Sequence, residues 1–377
     1  MKLYVIAGEA SGDLHAANLL IALRKLVPDL EVRAWGGDKM EAAGASIVKH
    51  YRDLAFMGFS EVLLNLRTIL RNLAFCKADI LAFQPDAIIL VDYPGFNLRI
   101  ARFAHEAGIP TSYYISPQLW AWKAGRVKQI KAYVDQMLCI LPFEPDWYAR
   151  HRVTAQYVGH PLLDALQTYP FDNQFRQLQG LDQRPIIALL PGSRKQEIRV
   201  KLPIMLAATA DFSRDYQIVI AAAPSLELSF YQEIIGQAPA KIVTGKTYDL
   251  LKSATAAIVT SGTATLETAL IGTPEVVVYK GSPISYAIGK RLVKVKYISL
   301  VNLILDRPLV AELIQHDCTP EKIAGELNQL LQPDRRMELN RAYTELRQLL
   351  GEAGASQNAA AAIHQFVINQ KVNKDQK

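Results

Sequence analysis

Four loops in this chain combine small residues with groups that can handle a phosphate or a proton. Gly8-Glu9-Ala10-Ser11-Gly12-Asp13 follows a short apolar run and opens a segment of helical period. Backbone N–H groups at such a helix start let a ligand approach closely. The spacing is not GxGxxG, and Glu9 and Asp13 add negative charge, so a dinucleotide is disfavoured. Helix capping by Asp13 is the ordinary alternative. Asp92 closes the apolar run 87–91 and precedes Tyr93-Pro94-Gly95-Phe96-Asn97. At the carboxyl end of a parallel strand its carboxylate can act as a general base, capping again being the alternative. Leu190-Pro191-Gly192-Ser193-Arg194 repeats the strand-turn-helix pattern and adds a guanidinium that can grip phosphate in two places. Ser261-Gly262-Thr263-Ala264-Thr265-Leu266-Glu267 does so once more. Two such loops close together suit a diphosphate. Glu267 falls one turn into its helix, where it can accept both hydroxyls of a ribose or merely favour the helix dipole.

These loops need strands and helices to hold them. Apolar runs at 3–7, 31–35, 87–91, 111–115 and 136–141 are short and apolar on both faces, as buried parallel strands are, and helical-period segments lie between them. After a polar stretch at 167–184 the rhythm restarts with runs at 186–190, 217–222, 241–243, 256–260 and 275–279. This is βαβ logic carried out twice, with the linker near 165–184. A helical tail follows Thr319 with breaks at Pro333 and 351–354, runs to about Val367 and ends in a frayed polar stretch. Gly245-Lys246-Thr247 imitates the end of a phosphate-binding P-loop, but Ala240 stands where its first glycine must be.

Composition narrows the class. The 377 residues exceed the ~250 at which single cores stop growing, so two domains are expected. Lys and Arg number 42 against 36 Asp and Glu, a mild excess that suits an anionic partner and names none. Cys76, Cys139 and Cys318 are far apart and lack CxxC spacing, which argues against disulfides and a zinc site. No DxD pair, HExxH or His/Cys cluster offers a metal site. The apolar run at 3–7 is too short for a secretory signal, and no stretch reaches the ~18 apolar residues of a membrane span. A cytoplasmic protein with at most peripheral membrane contact is expected. Within 56–75, Phe59, Val62, Leu63, Leu66, Ile69, Leu70 and Leu73 recur at three- and four-residue steps, an amphipathic helix. A core-facing helix is the plain interpretation. Phe56, Met57 and Leu64 widen the apolar arc enough for an acyl-chain or bilayer surface.

Taken in order, the motifs resemble the lipid-A-disaccharide synthase family over nearly the whole chain. Gly8 to Asp13 resembles its GE(A/T)SGD opening, and Asp92 with Pro94, Phe96 and Asn97 its acidic post-strand loop. Ser116-Pro117-Gln118-Leu119-Trp120-Ala121-Trp122 resembles SPxxWAW, with Arg126 as the basic residue beyond it. Leu141-Pro142-Phe143-Glu144, Gly159-His160-Pro161, the Arg194 and Glu267 loops, and Ser299-Leu300-Val301-Asn302-Leu303 continue the match. Gly95 stands where some relatives carry a second aspartate, so no paired-carboxylate role transfers to that loop; Val301 replaces a proline.

The resemblance implies a GT-B fold of two facing Rossmann-like domains, with a C-terminal helix crossing back to the first. It implies an acceptor- and lipid-binding domain over 1–168, a UDP-sugar domain over 169–345 and a returning helix over 346–377. It further implies an inverting transfer from UDP-2,3-diacylglucosamine to 2,3-diacylglucosamine 1-phosphate, giving the β(1→6) lipid A disaccharide 1-phosphate and UDP. No cofactor, metal or nucleic acid is then expected, and the place of work is the inner face of the inner membrane. A homodimer with exchanged C-terminal segments is suggested by resemblance alone. On this reading Asp92 is the base, with Ser11 and Glu9 beside it. Gly192, Ser193, Arg194, Ser261, Gly262, Thr263, Glu267 and Asn302 hold the nucleotide sugar. Arg126, Trp120, Trp122, Phe56, Met57, Leu63, Leu66 and Leu70 meet the acceptor or lipid. The alternatives are a UDP-N-acetylglucosamine epimerase, a non-lipid glycosyltransferase, or a non-catalytic nucleotide-binding membrane adaptor.

Overall fold

A computed structural model describes residues 1–54, 66–122, 124–282, 286 and 295–375. The chain forms two compact units, Met1–Gln167 with Glu352–Lys377, and Thr168–Gly351.

The first unit is built on seven parallel strands in the order β3-β2-β1-β4-β5-β6-β7. They are β1 (Lys2–Ala7), β2 (Glu31–Gly36), β3 (Ser46–His50), β4 (Ala87–Val91), β5 (Thr111–Tyr114), β6 (Gln136–Cys139) and β7 (Ala155–Tyr157). β1 and β4 are buried from Leu3 to Ala7 and from Ala87 to Val91, which is why both read as unbroken apolar runs. One face of the sheet packs on the helices Ala10–Leu26 and Ala355–Asp375, with Leu19, Leu23, Ala359, Ile363 and Val367 in one core. The opposite face takes the helices Leu66–Phe83 and Pro94–Glu106, with Leu73, Cys76, Ile80 and Ile100. Truncating any of these leucines or isoleucines to Ala would cost ~2–5 kcal/mol.

The second unit repeats the plan with six strands, β10-β9-β8-β11-β12-β13. These are β8 (Ile186–Leu190), β9 (Gln217–Ala222), β10 (Ala240–Thr244), β11 (Ala256–Thr260), β12 (Glu275–Tyr279) and β13 (Glu312–Ile314). In both sheets the strand order reverses beside the first strand, between β1 and β4 and between β8 and β11. Open α/β sheets bind ligands at such switch points.

The strands β3, β7 and β13 escape the sequence reading. β3 is half-exposed with Lys49 and His50 in it, and the other two have three residues each, so none makes an apolar run. The first helix begins at Ala10, inside the Gly8 to Asp13 motif. The last helix extends to Asp375 through the stretch expected to fray, where Lys371 pairs with Asp86 at 2.7 Å.

Candidate functional site

In the first unit β1 and β4 end side by side, and their loops touch through Gly8. A Cβ on Gly8 would lie 2.4 Å from the Tyr93 ring, so only glycine admits that contact. Glu9, exposed, is the N-cap of the helix Ala10–Leu26, and Ser11 is exposed in its first turn. Beyond β4, Asp92 (φ 43°) and Tyr93 (φ 48°) both adopt left-handed backbone, which costs of order 1–3 kcal/mol for each non-glycine residue. The surrounding bonds hold that turn. Asn97 Nδ2 donates to Asp92 O at 2.7 Å and to Val91 O at 3.2 Å, and the Tyr113 hydroxyl donates to Asp92 O at 2.5 Å. The carboxyl of Asp92 is pushed up to about 6, chiefly by burial and then by the charge of Glu9. A carboxylate so tuned is ionised near neutral pH yet basic enough to take a proton.

Asp13 has another task. It accepts N–H bonds from Gly37 (2.7 Å), Lys39 (3.1 Å) and Met40 (3.2 Å), and thus caps the helix Asp38–Ala42 rather than its own. Glu144 is fully buried and gathers Ser116 Oγ (2.5 Å), Trp120 Nε1 (3.1 Å) and the Leu141 N–H (3.0 Å). Burial pushes its carboxyl up to about 7. The indole N–H of Trp120 is therefore committed to Glu144, and its ring meets Phe143 edge-on, leaving only ring surface for a ligand. Arg126 is half-buried and its charge reaches the Tyr113 hydroxyl that braces Asp92. Phe56, Met57 and Leu63 lie outside the described residues, as do the side chains of Leu66 and Trp122. Leu70 is 55% exposed, with Phe75 (48%) and Leu81 (54%) on the same helix, so that helix carries an apolar surface outside its buried stripe.

In the second unit two helices start at neighbouring strand ends: Lys195–Ala208 after β8 and Thr263–Ile271 after β11. Their first-turn N–H groups and dipoles favour an anion there. Gly192 turns the first loop at φ 112°, Ser193 is exposed, and Arg194 is the N-cap, bonded to Glu197 at 3.1 Å. In the second loop Gly262 and Thr263 are exposed, while Ser261 Oγ donates to Ile298 O at 3.0 Å. Glu267 is half-buried, accepts the Tyr248 hydroxyl at 2.8 Å, and has its carboxyl raised by burial. The Tyr248 ring packs edge-on against Tyr169.

Asn302, expected to hold the nucleotide sugar, has its side chain engaged within the protein. Its side chain donates to Val310 O and Glu312 Oε1 and accepts from the Leu309 and Val310 N–H groups, all at 2.8–2.9 Å. It is buried with these bonds made inside the protein, so it shapes the 299–312 segment. Glu312 completes that brace through the Ile298 and Ser299 N–H groups. Asn97, Glu144, Tyr248 and Glu312 were not singled out from the sequence as site residues; Asn97 and Glu144 sit inside quoted motifs, while Tyr248 and Glu312 gave no local signal. Among the described residues no three or more His, Cys, Asp or Glu side chains cluster as metal ligands, and no helix is long and apolar enough to cross a membrane.

The family model for lipid-A-disaccharide synthetase matches residues 3–366. The chain is 42% identical over 364 residues to the lipid-A-disaccharide synthase of Syntrophus aciditrophicus, covering 94% of this chain and 95% of the relative. It is 41% identical to that of Myxococcus xanthus over 370 residues, covering 96% of each. Among solved structures it is similar to a putative UDP-N-acetylglucosamine 2-epimerase from Listeria monocytogenes, with TM-score 0.66, 13% identity and coverage of 98% and 97% of the two chains. It is also similar to the calicheamicin glycosyltransferase, with TM-score 0.62, 16% identity and 98% coverage of each. At such identities the solved structures speak for the fold alone, so the epimerase likeness carries no activity. With the sequence match extending over almost the full chain, this protein belongs to the lipid-A-disaccharide synthase family, glycosyltransferases of the GT-B fold that serve lipid A biosynthesis.

Proposed function

We propose that the chain joins UDP-2,3-diacylglucosamine to 2,3-diacylglucosamine 1-phosphate. Asp92 removes the proton of the acceptor 6-hydroxyl as that oxygen attacks the anomeric carbon from the face opposite UDP. The bond from that carbon to the diphosphate oxygen breaks, its electron pair leaves with UDP, and the new linkage is β(1→6). Charge gathers on the departing diphosphate. Arg194 and the first-turn N–H groups beside Ser193, Gly262 and Thr263 stabilise it without a metal. Glu267 accepts the ribose hydroxyls, held ready by Tyr248. Glu9, Ser11 and Arg126 complete the polar side of the acceptor site.

The observation that carries this reading is the pairing of two helix N-termini with Arg194 at the β8/β11 switch point. The deciding experiment follows UDP release when the purified protein receives both acylated sugars. Release that needs both, with a disaccharide product, supports the transfer; UDP binding without turnover would make it an adaptor. We assign the apolar surface of Leu70, Phe75 and Leu81 to the acyl chains or to the inner face of the inner membrane, where Arg67, Arg71 and Lys77 on the same helix can meet anionic head groups. Changing the three apolar residues to Ser or Gln should weaken liposome binding while UDP affinity is kept. Unchanged binding would remove the membrane from this surface.

A further inference from the structure

Lys201 is a buried charged residue of the second unit that the chemistry above leaves unused. Its side chain is 2% exposed, and among the described residues its ammonium has one ion pair, to Glu197 Oε2 at 3.4 Å. Buried lysines are rare because the ammonium loses its hydration, and burial accordingly lowers its affinity for a proton. The pair lies beneath the loop assigned to the diphosphate. A Cβ on Gly192 would stand 2.9 Å from Glu197 Oε2, 3.7 Å from Lys201 Nζ and 3.7 Å from Thr260 Cγ2. Thr260 ends β11 immediately before the second loop, so the pair sits where the two loops meet.

Glu197 is the anomaly in that place. It is a carboxylate, 33% exposed, in the first turn of the helix whose N-terminus is proposed to hold an anion. It also draws on Arg194 through the 3.1 Å bond. Left to itself it would cancel the guanidinium and repel a diphosphate. With Lys201 behind it, two positive charges stand against one negative.

We propose that Lys201 is a positioning residue for the diphosphate, neutralising Glu197 from below so that Glu197 can orient Arg194 without cancelling it. The inference rests on the nucleotide reading given above. It concerns electrostatics rather than contact, since Lys201 is buried under the loop.

The test is calorimetric binding of UDP and of uridine, which lacks the phosphates, to the native protein, K201M, E197Q and the double variant. K201M should bind UDP about tenfold more weakly with uridine unchanged, and adding E197Q should restore UDP to within about threefold. E197Q alone, with one negative charge fewer, should bind UDP roughly threefold more tightly. K201M that binds UDP normally, a loss shared equally by uridine, or a double variant that does not recover would overturn the role. If K201M does not fold, E197Q decides, and unchanged UDP affinity in it refutes the proposal. Native protein that binds no UDP at all refutes the nucleotide reading itself, and this inference with it.

Discussion

Glu9 and Asp92 in the first unit occupy the same topological positions as Gly192 to Arg194 and Ser261 to Thr263 in the second: the loop after the central strand and the loop after its neighbour across the strand-order reversal. The backbone plan is shared, and in both units helix starts bring partial positive charge to that edge. The first unit places carboxylates at that edge, and burial first, then the charge of Glu9, raises the Asp92 carboxyl and equips it for proton transfer. The second adds Arg194 and open N–H groups, which suits a leaving group that gathers negative charge. The sheet thus dictates where chemistry can occur, and a few loop residues dictate its sign.

The sharpest way to break this contrast is to remove its acidic half. Asp92→Asn should lose at least ~10²-fold in turnover while UDP affinity, measured by calorimetry, stays unchanged. Near-normal turnover would move the base to Glu9, since Asp13 is committed to three N–H groups. On the other side, Glu267→Ala should weaken UDP by ~1–3 kcal/mol with little change in binding of the acylated acceptor. Equal UDP affinity would return Glu267 to partnering Tyr248 and the helix dipole.

A subtler test addresses the coupling inside the acidic pair. The Asp92 carboxyl is raised to about 6 first by burial and then by Glu9, and a general base works only when ionised. The rate should therefore fall as the pH drops through about 6. Glu9→Gln removes the lesser cause, so the acid limb of the pH–rate profile should shift to lower pH by less than about one unit. A limb that stays in place would separate the two carboxylates. The smallest expected effect is none at all: EDTA should leave the rate unchanged if Arg194 and the N–H groups supply the leaving-group charge. Loss on chelation and recovery with magnesium would replace that half of the mechanism.

Much of this organisation was legible in the residues. The central strands are apolar on both faces, and the loops that follow them carry Asp92, Arg194 and Glu267, so position along the chain already located them at a sheet edge. What could not be read was non-local. Glu144 joins Ser116, Trp120 and Leu141, and Glu312 joins Ile298, Ser299 and Asn302, through bonds that exist only after folding. Asn302 shows the converse difficulty: its side chain bonds Val310, Glu312 and Leu309, and a motif does not tell which way an amide points. The edge strands were missed for a related reason, since a half-covered strand such as β3 keeps polar residues and leaves no apolar run.

The closing helix Ala355–Asp375 also bears on how the molecule assembles. Ala359, Ala360, Ile363 and Val367 belong to the same core as Leu19 and Leu23, while Asp164 anchors the helix start through the N–H groups of Gly354, Ala355 and Ser356. The first unit is consequently discontinuous, with all of Thr168–Gly351 inserted between its two pieces. During synthesis the second unit has its complete sequence before the first does, although it is made later. Until the helix Ala355–Asp375 has been made, the first unit must wait with that face of its sheet covered by the helix Ala10–Leu26 alone, presenting Leu19, Leu23 and their neighbours to solvent and to aggregation partners.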